Sequence, residues 1–221
     1  MNKTEKVAGF QQDYRNFSKV RIRFDLDDTL LEVFGKFAGW HNLWFSTAVT
    51  ARDLHLADYA KMSDLLQCPT AAWLKRFQDF HQTEHHQLEP LEFSYRVVWR
   101  LQSRGHDLGI VTHRSPCLEE LTRETVFRHY QNLIPKVSLH GLLEDQETKD
   151  LIPKWSILLQ DEVRIYFEDN FSNACSCALQ ADAWVFLFDP HNLYCDCDVP
   201  DKVIIIHGGW REVDSIIPSK W

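Results

Sequence analysis

Apolar residues fall into two rhythms along the chain. Residues 20–24 (VRIRF) alternate apolar with basic positions and run into acids, the period of a strand that delivers Asp25 to its C-terminal end. Over 32–88 the rhythm is helical. Apolar and aromatic residues recur at that spacing in EVFGKFAGWHNLWFSTAVTARDLHL and again in TAAWLKRFQDFHQ, with Cys68 and Pro69 marking a break, which predicts three or four helices. After Glu89-Pro90 the two rhythms alternate. Helices are expected over 93–103 (stopped by Gly105), 117–130, 153–160 (opened by Pro153), 174–180 and 209–217. Strands are expected over 106–112, 136–139, 163–167, 184–188 and 203–206. The runs IVT, IYF, VFLF and VIII fit strands buried on both sides, and such alternation implies a parallel sheet covered on both faces. Residues 1–18 are polar and mixed and read as a short arm.

Composition narrows the partners. The 221 residues allow one large domain or a core with a smaller insert, and 44% hydrophobic against 25% charged residues suits a buried core with a polar surface. Eight Trp and fourteen Phe predict an aromatic-rich core or pocket. A formal net charge of −8 argues against a nucleic-acid polymer or an anionic membrane as the main partner. It leaves an anionic small molecule open, because a bound cation inverts the local field. No stretch has the length of a signal peptide's apolar run or a membrane span, so a cytoplasmic location is the expectation. The oligomeric state stays open, a homodimer included. In a reducing compartment the six Cys are expected as free thiols.

Ligands of open parallel sheets bind beyond the carboxyl ends of the strands. Three strand ends here carry polar groups: Asp25-Leu26-Asp27-Asp28-Thr29, Thr112-His113-Arg114 and Glu168-Asp169-Asn170, with Lys154 on the helix between the last two. Asp25 and Asp27 leave one strand two residues apart, so both can turn into one pocket. Clustered carboxylates repel, and a hard cation such as Mg²⁺, which takes carboxylate oxygens together with water and substrate phosphate, relieves that. One carboxylate can attack phosphorus and a second can move the leaving-group proton. Thr112 and Lys154 would hold the phosphoryl oxygens. Lys149 is a rival for Lys154. His113 and Arg114 are either substrate contacts or solvated loop residues. Cys175-Ser-Cys177 with Cys195-Asp-Cys197 raises a four-thiolate zinc site as the alternative to free thiols, although Cys-x-Cys is tighter than the usual ligand spacing. His81, His85 and His86 form either a metal cluster or a solvated hinge, and Phe34, Phe37, Trp40 and Trp44 form an aromatic stripe.

FDLDDTL, IVTHR, Lys154 and IYFEDN together resemble, in order, the four motifs of the haloacid-dehalogenase-like hydrolases over about 20–190. The resemblance implies a three-layer, Rossmann-like α/β core from 1–31 and 89–221, with a small helical type-1 cap at 32–88 inserted after the first strand. It implies Asp25 as nucleophile and Asp27 as acid/base. Mg²⁺ would lie on Asp25, Asp169 and the backbone carbonyl of Asp27, with Glu168 in support and Thr29 and Asn170 beside the site. The joints near Leu31–Glu32 and Leu88–Pro90 are the expected hinges of cap closure. The segment QLEPLEFSYRVVWRLQSRGHDLGIVTHR and the Ile-His-Gly-Gly-Trp-Arg-Glu-Val tail are similar to the 5′(3′)-deoxyribonucleotidase group. That implies a small phosphomonoester substrate, a (deoxy)nucleoside monophosphate, with Phe34 and Trp73 facing it. The chain departs from that group, which often has Gly-Val at Asp28-Thr29, Thr-Ser at Thr112-His113, and Asp at Glu168. A phosphatase or phosphotransferase for another metabolite, such as a phosphosugar, is the alternative. Dehalogenase chemistry does not need Asp27, and a non-catalytic protein on this fold would be expected to lack Asp25 or Asp169.

Overall fold

The computed structural model describes residues 1–57, 61–142 and 151–218. Six parallel strands form one sheet in the order β3-β2-β1-β4-β5-β6: β1 Arg21–Phe24, β2 Asp107–Thr112, β3 Lys136–Leu139, β4 Val163–Glu168, β5 Trp184–Phe188 and β6 Val203–Ile206. The chain builds outward from β1 through β2 to β3, then returns to the other side of β1 with β4. Neighbouring connections therefore leave in opposite directions at β1 and β4, and a crevice opens at their carboxyl ends.

Helices cover both faces, giving the three-layer α/β architecture. On one face α8 (Lys154–Gln160) and α9 (Phe171–Gln180) bury Leu158, Ala174 and Cys177 against Val111, Tyr166, Val185 and Leu187. On the other, α1 (Lys3–Asn16), α6 (Ser94–Ser103), α7 (Glu119–Tyr130) and α10 (Gly209–Ile216) cover an aromatic layer. There Phe24, Phe167 and Phe186 stack with centroids 5.0 Å apart, and Trp210 lies on Phe167 at 4.9 Å. Gly105, at φ 78°, ends α6 in the left-handed turn that glycine adopts without strain.

Two expectations are corrected. The N-terminal segment is a helix and not an arm: Asn2 and Glu5 form a capping box, Phe10 is buried against Trp184 and Phe186 of β5, and Tyr14, one turn on, is buried beside His106 at the start of β2. The helix expected at 174–180 begins three residues earlier, because the Asn170 side chain accepts the Asn173 N–H and starts α9 directly after β4.

Between β1 and α6 lie α2 (Phe34–Phe45), α3 (Ala51–Leu56), α4 (Met62–Leu65) and α5 (Thr70–Glu84). Two chain crossings join them to the sheet side by side: Glu32 N–H donates to the Glu89 carbonyl at 2.9 Å and Leu91 N–H to that of Leu30 at 2.9 Å. Of the aromatic stripe, Phe37 is buried and Phe34 and Trp40 pack on the core, but Trp44 is 67% exposed at the far end of α2. No helix among the described residues is long and apolar enough to cross a membrane.

His106 ties α1 to the start of β2. Its Nε2 is 3.0 Å from the Tyr14 hydroxyl and its Nδ1 accepts the Val20 N–H. Burial, helped by Arg104, pushes its pKa from 6.5 down to about 4. Between those values the unfolded chain binds the extra proton, so this group's stabilisation falls as pH drops through that window. The thermal midpoint is expected to fall from pH 6.5 toward 4, and more shallowly in His106→Gln. Equal slopes in a thermal-shift series would contradict this.

Candidate active site

Asp25 continues β1 by donating its N–H to the Phe167 carbonyl at 2.8 Å, which aims its carboxyl into the crevice. Lys154, 2% exposed at the first position of α8, reaches Asp25 Oδ1 at 2.8 Å and Glu168 Oε2 at 2.9 Å. Pro153 precedes it at the N-cap, where a missing N–H costs nothing. Lys149 lies outside the described residues. Glu168 is fully buried and engaged: Oε2 also accepts the Tyr166 hydroxyl at 2.8 Å, and Oε1 accepts the Asp169 and Asn170 N–H groups. It braces Lys154 and the turn after β4.

Asp25, Glu168 and Asp169 each place a carboxylate oxygen within 4.8 Å of the others, all three buried. Burial pushes the Asp25 pKa up to about 7 against the pull of Lys154, and burial also raises Asp169 and Glu168. Burial works against Lys154's charge too, but Asp25 and Glu168 outweigh it and its pKa is raised. An all-oxygen, desolvated cluster that resists holding its full charge is the donor set of a hard divalent cation. Mg²⁺ therefore fits Asp25 and Asp169.

Asp28 stands in the left-handed region at φ 50°, which rationalises glycine at this position in the group the motif resembles. Its Oδ1 accepts the Val33 and Phe34 N–H groups at 2.7 and 3.0 Å and so seats the start of α2. The Thr29 hydroxyl is buried without a hydrogen-bond partner among the described residues, and its carbonyl accepts Trp210 Nε1–H at 2.6 Å. Thr112 lines the pocket, its Oγ1 accepting the Arg114 N–H at 3.3 Å. The loop after β2 is held by Gly141, where a Cβ would sit 2.0 Å from the His113 carbonyl oxygen. His113 also lines the pocket; its ring donates to the Ile152 carbonyl, and burial with nearby Lys154 takes its pKa down to about 3, so it is neutral at pH 7.

Arg114 is neither solvated nor turned to the pocket. It is 3% exposed and grips Asp27 with Nε at 2.9 and 3.1 Å from the two oxygens and Nη2 at 2.5 Å, the fork geometry of an ionised carboxylate. Cutting a buried pair strands the partner charge. Arg114→Gln is expected to lower unfolding free energy by about 3–5 kcal/mol in denaturant titration; a loss under about 1 kcal/mol would place the pair with weak surface bridges.

His55, on α3, is the site residue the sequence did not disclose. Its Nε2 lies 3.1 Å from Asp28 Oδ2 and its Nδ1 3.4 Å from Asp169 Oδ2. Burial opposes its charge, but the hydrogen bonds it donates to Asp169 and Asp28 carry its pKa to about 10. The Thr50/Asp53 capping box that starts α3 is legible in the sequence. The ring's contacts are not, because they join it to two distant strand ends.

Opposite the acids the pocket wall is apolar: Phe34, Phe37, Leu54, Met62, Trp73 and Phe77, all from α2–α5. The cavity is about 120 Å³. His81, on α5, is buried with neither ring nitrogen hydrogen-bonded among the described residues and is not in this wall, so the cluster His81, His85 and His86 does not gather at the pocket.

No protein-family model and no curated protein sequence matches the chain. Solved structures share its fold. A Clostridium acetobutylicum protein described as a predicted phosphatase superposes with TM-score 0.64 at 11% identity, covering 90% of this chain and 99% of that one. A Bacillus subtilis protein described as a haloacid-dehalogenase hydrolase, bound to magnesium and showing interdomain movement, gives 0.59 at 15%, covering 90% and 99%. A Thermotoga maritima protein described as a β-phosphoglucomutase gives 0.54 at 13%, covering 90% and 100%. The three-layer fold is thus that of haloacid-dehalogenase-like proteins.

Proposed function

We propose that the chain is a phosphomonoester hydrolase working through an aspartyl-phosphate on Asp25, with 1–31 and 89–221 as its core and 32–88 as its cap. The observation that carries this reading is the buried Asp25–Lys154–Glu168 arrangement beside Asp169 at the switch point of the sheet. A carboxyl oxygen of Asp25 attacks phosphorus and the bond to the leaving oxygen breaks. Asp27, released from Arg114 and protonated from solvent, gives that oxygen its proton. Water then attacks phosphorus, Asp27 takes the water's proton, and phosphate leaves with Asp25 restored. Lys154 and Thr112 hold the phosphoryl oxygens. Asp25, Asp169 and the Asp27 carbonyl would hold Mg²⁺, which when bound would supply charge neutralisation for the incoming phosphate.

The wall facing the acids favours a (deoxy)nucleoside monophosphate over a phosphosugar. Phe34, Trp73 and Phe77 offer rings for a base to stack on, whereas a sugar's hydroxyls would lie against carbon. In a panel of nucleoside monophosphates, phosphosugars and an aryl phosphate, nucleotides are expected to turn over best. Trp73→Ala is expected to raise KM for them about tenfold or more, the scale of one lost base stack, with KM for small alkyl phosphates unchanged. A preference for phosphosugars would retain the chemistry and overturn the substrate.

A further inference from the structure

Outside the pocket, the far strands bring together a second set of donors. Phe188 of β5 pairs with Ile206 of β6, so the next residues, Asp189 and His207, leave the sheet as neighbours. Asp189 N–H donates to the Ile206 carbonyl at 2.8 Å. The Asp189 carboxylate then folds the following loop: Oδ1 accepts the Leu193 N–H at 2.7 Å and Oδ2 the Tyr194 N–H at 2.9 Å. That turn sets the next residue, Cys195, above the pair. One donor atom from each of Asp189, Cys195 and His207 lies within 4.8 Å of the other two. His207 Nδ1 is 3.1 Å from the Asp189 carbonyl oxygen and 3.6 Å from its Oδ2, and Glu212 accepts the His207 backbone N–H at 3.0 Å.

We propose that Asp189, Cys195 and His207 form a second metal site, for a borderline cation of the Zn²⁺ type. A thiolate and an imidazole beside one carboxylate suit zinc and not a hard cation. The four-thiolate arrangement suspected from the two Cys-x-Cys pairs does not form: Cys177 is buried among Ala174 and Ala178, where burial pushes its thiol pKa up. The site is instead one cysteine of one pair, completed by residues from two strand ends. Asp189 is 1% exposed and oriented by backbone N–H groups, as ligating carboxylates are by their outer partners. Cys195 and His207 are exposed, so the ion can reach them. Bonds of about 2.0–2.3 Å require these two to close in slightly, and water takes the fourth position.

The site would steady a functional loop. Tyr194 packs on Phe171 at 4.7 Å and its hydroxyl donates to the His55 carbonyl at 3.2 Å, so an ion at the loop's base fixes a contact to α3.

The test is titration of the reduced, metal-free chain with Co²⁺. No cysteine lines the pocket among the described residues, so a thiolate-to-cobalt charge-transfer band distinguishes this site from the pocket. The band is expected to saturate at one equivalent and to be displaced by Zn²⁺. It should vanish in Cys195→Ser, persist in Cys197→Ser and Asp25→Asn, and need about tenfold or more Co²⁺ in His207→Ala, with unchanged far-ultraviolet circular dichroism. No band in the wild type, or a band that survives Cys195→Ser, overturns the proposal.

Discussion

Asp25→Asn is expected to cost at least on the order of 10⁴-fold in phosphate release, the scale of losing a covalent nucleophile, while making the metal-free protein more heat-stable. The two effects share one cause. Burial lifts the Asp25 pKa from 3.8 to about 7. The folded state therefore binds more protons than the unfolded chain across that interval, and this group's stabilisation is lost as pH rises through it. At pH 7 and above the wild type carries a desolvated charge only partly offset by Lys154, whereas Asn carries none. The thermal midpoint of Asp25→Asn in chelator should exceed that of wild type at pH 8 and converge with it toward pH 4. A lower midpoint at pH 8 would mean that the Asp25–Lys154 pair is a net structural asset.

Lys154→Met is expected to fail in both respects. Lys154 is the cation between Asp25 and Glu168, at 2.8 and 2.9 Å, and its removal leaves two buried acids facing each other. Breaking such a set costs about 3–5 kcal/mol of stability, and losing a donor to the phosphoryl oxygens costs about 10²–10³ in turnover. The double variant Lys154→Met/Glu168→Gln separates the roles. It should regain much of the stability, read by denaturant titration, and none of the turnover. Recovery of turnover would remove Lys154 from the chemistry and leave it as a structural cation.

The strand-end clusters were legible because buried parallel strands write themselves as unbroken apolar runs, and VIII, VFLF and IYF end abruptly in polar residues. Lys154 was legible from Pro153, which marks a helix start between two such strands. The N-terminal helix was not, since Phe10 and Tyr14 carry its burial almost alone on an otherwise polar stretch. Arg114 read as either a substrate contact or a solvated loop residue because its partner, Asp27, belongs to another strand end. His55 shares that reason, lying across two carboxylates from separate strand ends. Cys195 was marked by its Cys-x-Cys pair, but its neighbours Asp189 and His207, at two other strand ends, leave no spacing in the chain.

The most direct measurement is to quench the protein during incubation with a nucleoside monophosphate and Mg²⁺, reduce it with borohydride, and locate the product by peptide mass spectrometry. An acyl phosphate is reduced to the alcohol, so conversion of Asp25 to homoserine, absent without substrate, is the expected result. Turnover with Asp25 unmodified, or conversion at any other carboxylate, would contradict a covalent phosphoryl transfer through Asp25.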